Sequence, residues 1–418
     1  MVAQAIELGI GAATFVSSLL LVRPPLIKPY VSPEGATALH NYQYSGSDAS
    51  YIYNYITSPL SKWIADQLPW WIAPNTITVT GLGLVILAHI VMAWHCPMME
   101  GLAPAWVYWL SFVSLTLYQI LDCTDGKQAR RTGNSSPLGL LFDHGCDAMN
   151  CILTGMTLAS CLQLGATWKS LALVCVGCLP FFFATWEEYF TGTLALPLIN
   201  GANEGLLAIE LFFLFCAIWP QDMHAWTTAT NAFFPSMCNN TFMISIIGVM
   251  AVPTCAENVK NVLRVLYEQN QVGHGGRTKA WMGIVPFIVF WSLVCLWSMH
   301  SADDGVDIMA RYPRIVLFTA GMFSCKLTMH LMLAHLCDVD TTQQLRKTFI
   351  PVLATAFAIF VKRQTGFGPS VDQDWLVKIA FWLSLTVYWH MVLHVVDELT
   401  RVLNIRCFIA KPPPGKTE

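Results

Sequence analysis

Charge is what these 418 residues have least of. Asp, Glu, Lys and Arg make up 12% of the chain, about half the roughly 25% of an ordinary soluble domain. With 55% hydrophobic residues and a mean hydropathy of +0.51, too few charged side chains remain to cover a soluble surface. A basic excess is missing too. The net charge of −3 and pI near 6.4 supply no field for nucleic acid. No Gly-, Pro- or Ser-rich linker divides the chain, and no repeat period is present. The 16 Trp, 12 Tyr and 23 Phe exclude a disordered or fibrous class. Gly-x4-Gly-Lys-Ser/Thr and His-Glu-x2-His runs are absent, so neither a P-loop nor a zinc-protease helix is encoded. The chain is a polytopic membrane protein.

Cysteine is plentiful, with 14 residues, but not in a disulfide pattern. Cys151, Cys161, Cys175, Cys178, Cys216, Cys295 and Cys325 sit within apolar runs, where a thiol packs as a small hydrophobe.

A bilayer core of ~30 Å needs about 20 apolar residues per helix. Ten such runs are present, at 76–94, 102–121, 148–164, 169–186, 205–219, 241–254, 281–299, 315–336, 349–361 and 376–396. The expected architecture is therefore all-α, one bundle of about ten transmembrane helices. A further apolar run, Ile6–Val22, lacks a basic flank and carries Glu7; it reads as a peripheral helix. Tyr42–Lys62 and Pro69-Trp70-Trp71 mix aromatic with polar residues and suit the membrane surface. Of the 23 Lys and Arg, 16 fall on the face holding both termini and the 2–3, 4–5, 6–7 and 8–9 connections, against five on the other. The positive-inside rule makes the richer face cytosolic.

The connection between spans two and three breaks the avoidance of charge. It holds Asp122, Asp125, Gly126, Ala129 and Arg130, then Gly139, Asp143 and Asp147. If both halves are helical, Asp122 and Asp125 share one face at i, i+3, and Asp143 and Asp147 share another at i, i+4. Four clustered carboxylates need a cation to stay ionised together, and oxygen ligands suit Mg²⁺ or Mn²⁺. Lys127, Arg130 and Arg131 beside them point to a phosphate-bearing substrate. At roughly one in twenty per position, chance agreement with Asp-x2-Asp-Gly-x2-Ala-Arg-x8-Gly-x3-Asp-x3-Asp is about one in 10¹⁰ per window.

That ordered set resembles the signature of the CDP-alcohol phosphotransferase family, matched here at every fixed position. The flanking text, together with Tyr44–Asp48, Ala73–Thr78 and Asn200–Gly205, is similar to the eukaryotic choline/ethanolamine phosphotransferase branch. The resemblance spans residues 30–400, with the catalytic site expected within 71–254. Residues 1–29 are an apolar extension outside the family pattern, and 401–418 a cytosolic tail. Leu140 stands where the branch usually has Glu.

The resemblance implies transfer of phosphocholine or phosphoethanolamine from CDP-choline or CDP-ethanolamine to diacylglycerol, with release of CMP. It implies two Mg²⁺ held by Asp122, Asp125, Asp143 and Asp147. Asp122, Gly126, Ala129 and Arg130 would accommodate the CDP donor, as would Asn75 and Thr78. A helix-entry cap explains the last two equally well. An endoplasmic reticulum or Golgi membrane, a cytosol-facing site and a homodimer complete the expectation.

Three residues compete to accept the hydroxyl proton. Asp147 closes the motif. His144 has a pKa range suited to neutral pH. Glu204 opens the fifth span, where an acid is costly. The bland readings are a histidine orienting Asp147 and an acid favoured by a helix N-terminus. Lys326, His330, His335, His390 and His394 in the last spans read as packing residues, with Asp338, Asp340, Asp397 and Glu398 the nearby acids. An ion-coupled transporter would need acids near the bilayer midplane in paired halves, and a relative using another acceptor would need a second phosphate pocket. Neither pattern is present.

Overall fold

Apolar runs closed by turn-forming residues become helices, and the turns decide which helices meet. The computed structural model describes residues 29–220, 225–228, 234, 237–268, 274–300, 307–340 and 372–412. A short α1 (Pro33–Asn41) and a surface helix α2 (Ser58–Gln67) come first. Then follow α3 (Pro74–His95), α4 (Ala105–Thr132), α5 (Pro137–Cys161), α6 (Trp168–Thr191) and α7 (Leu206–Ile218). The second half supplies α8 (Asn239–Glu268), α9 (His274–His300), α10 (Pro313–Leu336) and α11 (Gln373–Leu403). Wide helical turns at Tyr53–Thr57 and Gly201–Gly205 open α2 and α7.

Nine of the ten expected spans coincide with helices α3 to α11. The run 349–361 and the extension Ile6–Val22 lie outside the described residues. Among the described residues, seven helices are long and apolar enough to cross a membrane, α7 counted with its opening turn. The other two, α4 and α5, carry the four aspartates.

The 2–3 connection is not the long loop that hydropathy suggests. Only residues 133–136 lie between α4 and α5, so all four aspartates are helical. Gly133 ends α4 at φ +69°, where a side chain would be strained, and the Asn134 amide returns to the Ala129 carbonyl at 2.9 Å. Ser136 then caps α5, its Oγ accepting from the Gly139 amide at 3.1 Å, with Pro137 in the first turn. The start expected at 148 moves back to 137 because a hydropathy reading stops at acids. The helix does not: its polar residues face protein rather than lipid.

Helix α10 is the centre of the bundle, with 89% of its apolar window buried against 17% for α8. It packs on α5, α6 and α11. Gly321 permits the α5 contact, since a Cβ there would fall 2.6 Å from Ile152. Along the surface segment Tyr51, Tyr55, Trp63 and Trp71 are exposed, the aromatic face expected at a membrane boundary.

The one departure from an all-α fold among the described residues is a parallel pair, β1 (Gly46–Asp48) with β2 (Leu194–Leu196). Register Ser47 to Ala195 brings the Tyr44–Asp48 and Asn200–Gly205 segments together. Beyond α11 the chain turns at Asn404 and folds back on the α3–α5 end. Asn75 Nδ2 donates to the Cys407 carbonyl at 2.9 Å, and Asn134 exchanges two hydrogen bonds with the Lys411 backbone.

Candidate active site

The α4–α5 hairpin brings two acid-bearing faces together. Carboxylate oxygens of Asp122, Asp143 and Asp147 lie within 4.8 Å of one another, an arrangement that could hold a metal ion. Asp122 Oδ1 and Asp143 Oδ1 are buried and accept no hydrogen bond. Asp147 Oδ1 accepts from Tyr118 Oη at 2.6 Å. A buried carboxylate oxygen with no donor costs free energy, and a hard cation is the partner these oxygens suit. The donor set therefore fits a divalent metal.

Asp125 stands apart from that cluster. Thr78 Oγ1 donates to Asp125 Oδ2, so one expected substrate residue instead holds an expected metal ligand. Thr78 also bonds the Pro74 carbonyl, and Asn75 reaches Cys407. Neither caps α3 at its N-cap, Ala73, where no side-chain cap bond forms. The capping alternative therefore does not describe these two residues.

Of the three basic neighbours, only Arg130 is left to a ligand. Lys127 donates to Ser58 Oγ at 2.8 Å and lies over the Tyr53 ring. Arg131 bonds Gln128 and the Leu68 carbonyl. Both therefore tie α2 and the residues after it to α4. Arg130 is exposed, with no hydrogen bond or ion pair among the described residues, and a Cβ on Gly126 would meet only its guanidinium, at 3.6 Å. Ala129 is half-buried beside it. The Gly126 face is open.

His144 is buried on α5, one position after Asp143. Its Nδ1 lies 3.1 Å from the Leu140 carbonyl, so that nitrogen carries the hydrogen. Its Nε2 faces Glu188 Oε2 at 3.4 Å. His144 thus makes no hydrogen bond to Asp147, as the bland reading would require, and none to Glu204. Glu188 is buried on α6 and lies 3.9 Å from His335 Nε2. The acid beside His335 therefore comes from α6. Glu188 escaped the sequence reading, although adjacent acids at 187 and 188 end an apolar run, the feature that singled out Glu204. Tyr118, four residues before Asp122 on one helical face, was equally readable.

Glu204 lies in the turn opening α7. Oε1 accepts from Ser50 Oγ at 2.6 Å and Oε2 from the Asn200 amide at 3.0 Å. Asn200 Oδ1 accepts in return from the Asn203 amide at 2.9 Å, so Glu204 does cap this turn reciprocally. Gln119 Nε2 holds the turn from α4 through the Ala202 and Asn203 carbonyls. Tyr44 is half exposed, with its phenol within electrostatic reach of Glu188 and Asp143. Burial pushes its phenol up to about 12, with Glu188 and Asp143 adding to the shift. Asp48 is raised by burial, opposed by donors from Ser50 and Asn203.

Residues 71–234 match the CDP-alcohol phosphatidyltransferase family. Choline/ethanolaminephosphotransferase 1 of Arabidopsis thaliana is 34% identical over 394 residues, covering 91% of this chain and 98% of the relative. Choline/ethanolaminephosphotransferase 2 of the same plant is 33% identical with the same coverage. Cholinephosphotransferase 1 of Xenopus laevis is 29% identical over 341 residues, 80% of each chain.

Proposed function

The chain belongs to the CDP-alcohol phosphatidyltransferase family, and from that premise we propose that it transfers phosphocholine, phosphoethanolamine or both from the CDP-alcohol to diacylglycerol. The products are CMP and phosphatidylcholine or phosphatidylethanolamine. The observation that carries this reading is the convergence of Asp122, Asp143 and Asp147 with two buried oxygens that lack a donor. Similarity to the plant and frog enzymes supports the choice of donor.

In this reading Asp122, Asp125, Asp143 and Asp147 hold two Mg²⁺, Mn²⁺ being a substitute. The metal, when bound, neutralises the pyrophosphate and stabilises charge on the departing phosphate. Arg130 takes up remaining phosphate charge at the open Gly126 face. Asn75, Thr78 and Ala129 border the nucleotide, Thr78 by fixing Asp125.

The acceptor hydroxyl attacks the phosphorus that carries choline or ethanolamine. A new O–P bond forms as the bond to the CMP oxygen breaks. The hydroxyl proton passes to Glu204, with His144 completing the pair; Asp147 alone is the competing base. Glu188 keeps the His144 ring in one orientation. The acids lie about two to three helical turns in from the α4–α5 turn, so an apolar acceptor reaches them from the bilayer and a polar donor through the open Gly126 face. That end faces the cytosol of an endoplasmic reticulum or Golgi membrane. The last spans, which carry no copy of the motif, serve packing within a homodimer.

The test is a radiolabelled-donor assay on purified protein in lipid, with CDP-choline, CDP-ethanolamine and diacylglycerol. Labelled phospholipid and equimolar CMP are expected in Mg²⁺. Absence of transfer from both donors overturns the reading.

A further inference from the structure

Ser50 is completely buried although it lies in a surface segment far from the acid motif. Its hydroxyl has two neighbours with defined roles. The Tyr53 amide donates to Oγ at 3.0 Å, so that oxygen is an acceptor there. The hydroxyl hydrogen is left to point along the 2.6 Å contact to Glu204 Oε1, where only a donor is useful to a carboxylate. We propose that Ser50 is a positioning residue for Glu204, fixing which edge of that carboxylate is free to take the acceptor hydroxyl proton.

The surrounding bonds make this orientation specific. Asn200 N–H holds Glu204 Oε2 from the opposite side, so each oxygen carries one donor and the carboxylate plane is pinned at two points. Every oxygen keeps a second lone pair, and the direction of that lone pair is set by the two donors. Ser50 is itself held: its amide donates to Asp48 Oδ1 at 2.8 Å, and its carbonyl accepts from Asn54 Nδ2 at 2.8 Å. Asp48 Oδ2 accepts from Asn203 Nδ2, one residue before Glu204, at 2.8 Å. The β1–β2 pair fixes the register of both segments. On the other side of the turn, Gln119 stands three residues before Asp122 on α4 and binds the turn's carbonyls. The carboxylate is therefore anchored between the surface segment and the acid-bearing helix.

This inference rests on the reading of Glu204 as proton acceptor, and the test separates the two. Turnover and KM for the CDP-donor are measured on full-length protein in lipid for Ser50→Ala, Ser50→Thr, Glu204→Gln and the double variant Ser50→Ala/Glu204→Gln. Ser50→Ala is expected to lower kcat about 10–100-fold, the weight of a hydrogen bond to a charged group, with KM for the donor within about twofold. Ser50→Thr restores most of the loss because the hydroxyl returns. In the Glu204→Gln background Ser50→Ala costs nothing further, since groups acting as one unit are not additive. Should Thr not fit the buried site, this cycle alone decides. A Ser50→Ala loss that adds in full to that of Glu204→Gln makes Ser50 merely structural and overturns the proposal. So does wild-type kcat in Ser50→Ala while Glu204→Gln is inactive. Full turnover in Glu204→Gln removes the proton-acceptor reading instead.

Discussion

Where α4 meets α5, Asp122 and Asp143 each keep a buried oxygen that no donor reaches. Where α6 meets α8, the buried Glu187 is bonded by Asn258 to one oxygen and by Asn261 to the other, the latter at 2.8 Å. Glu398 on α11 is similar, accepting from the Tyr30 and Val31 amides at 3.2 and 2.8 Å. The contrast separates two uses of buried charge in a chain with little of it. A carboxylate held by a donor on each oxygen joins the elements that supply those donors. Carboxylates crowded together with oxygens unsatisfied cost stability unless something else binds, which is the signature of a site.

The sharpest way to break this contrast is to remove charge from the unsatisfied group. Asp122→Asn or Asp143→Asn should abolish turnover without lowering thermal stability, because an uncompensated buried charge is removed along with a ligand. Mg²⁺ should raise the unfolding temperature of the unsubstituted protein by linkage and leave both variants unmoved. Activity retained in excess chelator, or in either variant, would contradict the metal assignment.

Next in size is the proton acceptor. His144→Ala and Glu204→Ala should each lower kcat by on the order of 10²–10⁴, while CDP-donor binding measured by calorimetry survives. If Asp147 alone takes the proton, Glu204→Ala should keep nearly full kcat. Glu188→Gln should have a smaller effect, about tenfold in kcat, as expected when the partner of a functional histidine is weakened. An unchanged kcat there would make the His144–Glu188 contact a matter of packing.

The satisfied carboxylate should answer in stability instead. Glu187→Ala leaves Asn258 and Asn261 without their acceptor and should cost about 1–3 kcal/mol in detergent unfolding, with turnover per folded molecule unchanged. A turnover defect without a stability loss would reverse the roles drawn for the two regions. The smallest effect is expected at the returning C-terminal segment. Asn134→Ala removes the paired bonds to Lys411 and should destabilise by about 0.5–1.5 kcal/mol, again read from unfolding with activity intact.

Much of the site was legible because its residues are local in sequence. Asp122, Asp125, Asp143 and Asp147 fall within 26 positions, and helical periodicity alone puts Asp122 with Asp125 on one face and Asp143 with Asp147 on another. The turn between them was written in Gly133 and Ser136-Pro137 as well, but hydropathy obscured it. Glu188 was harder to see because its partner, His144, lies on another helix 44 positions away. Ser50 and Glu204 are 154 positions apart, and no local pattern joins them.

By itself, then, the sequence determined the membrane class, the helical bundle and the acid motif, because composition, periodicity and short spacings are properties of consecutive residues. Only tertiary structure decided which carboxylates converge. It bonded Asp125 to Thr78, turned His144 toward Glu188, tied Lys127 and Arg131 to the surface segment and folded Cys407 back on Asn75. Each outcome is a competition among many polar groups for a few partners inside an apolar bundle. A buried group must take whichever partner packing brings within reach, and packing is set by contacts between helices remote in the chain.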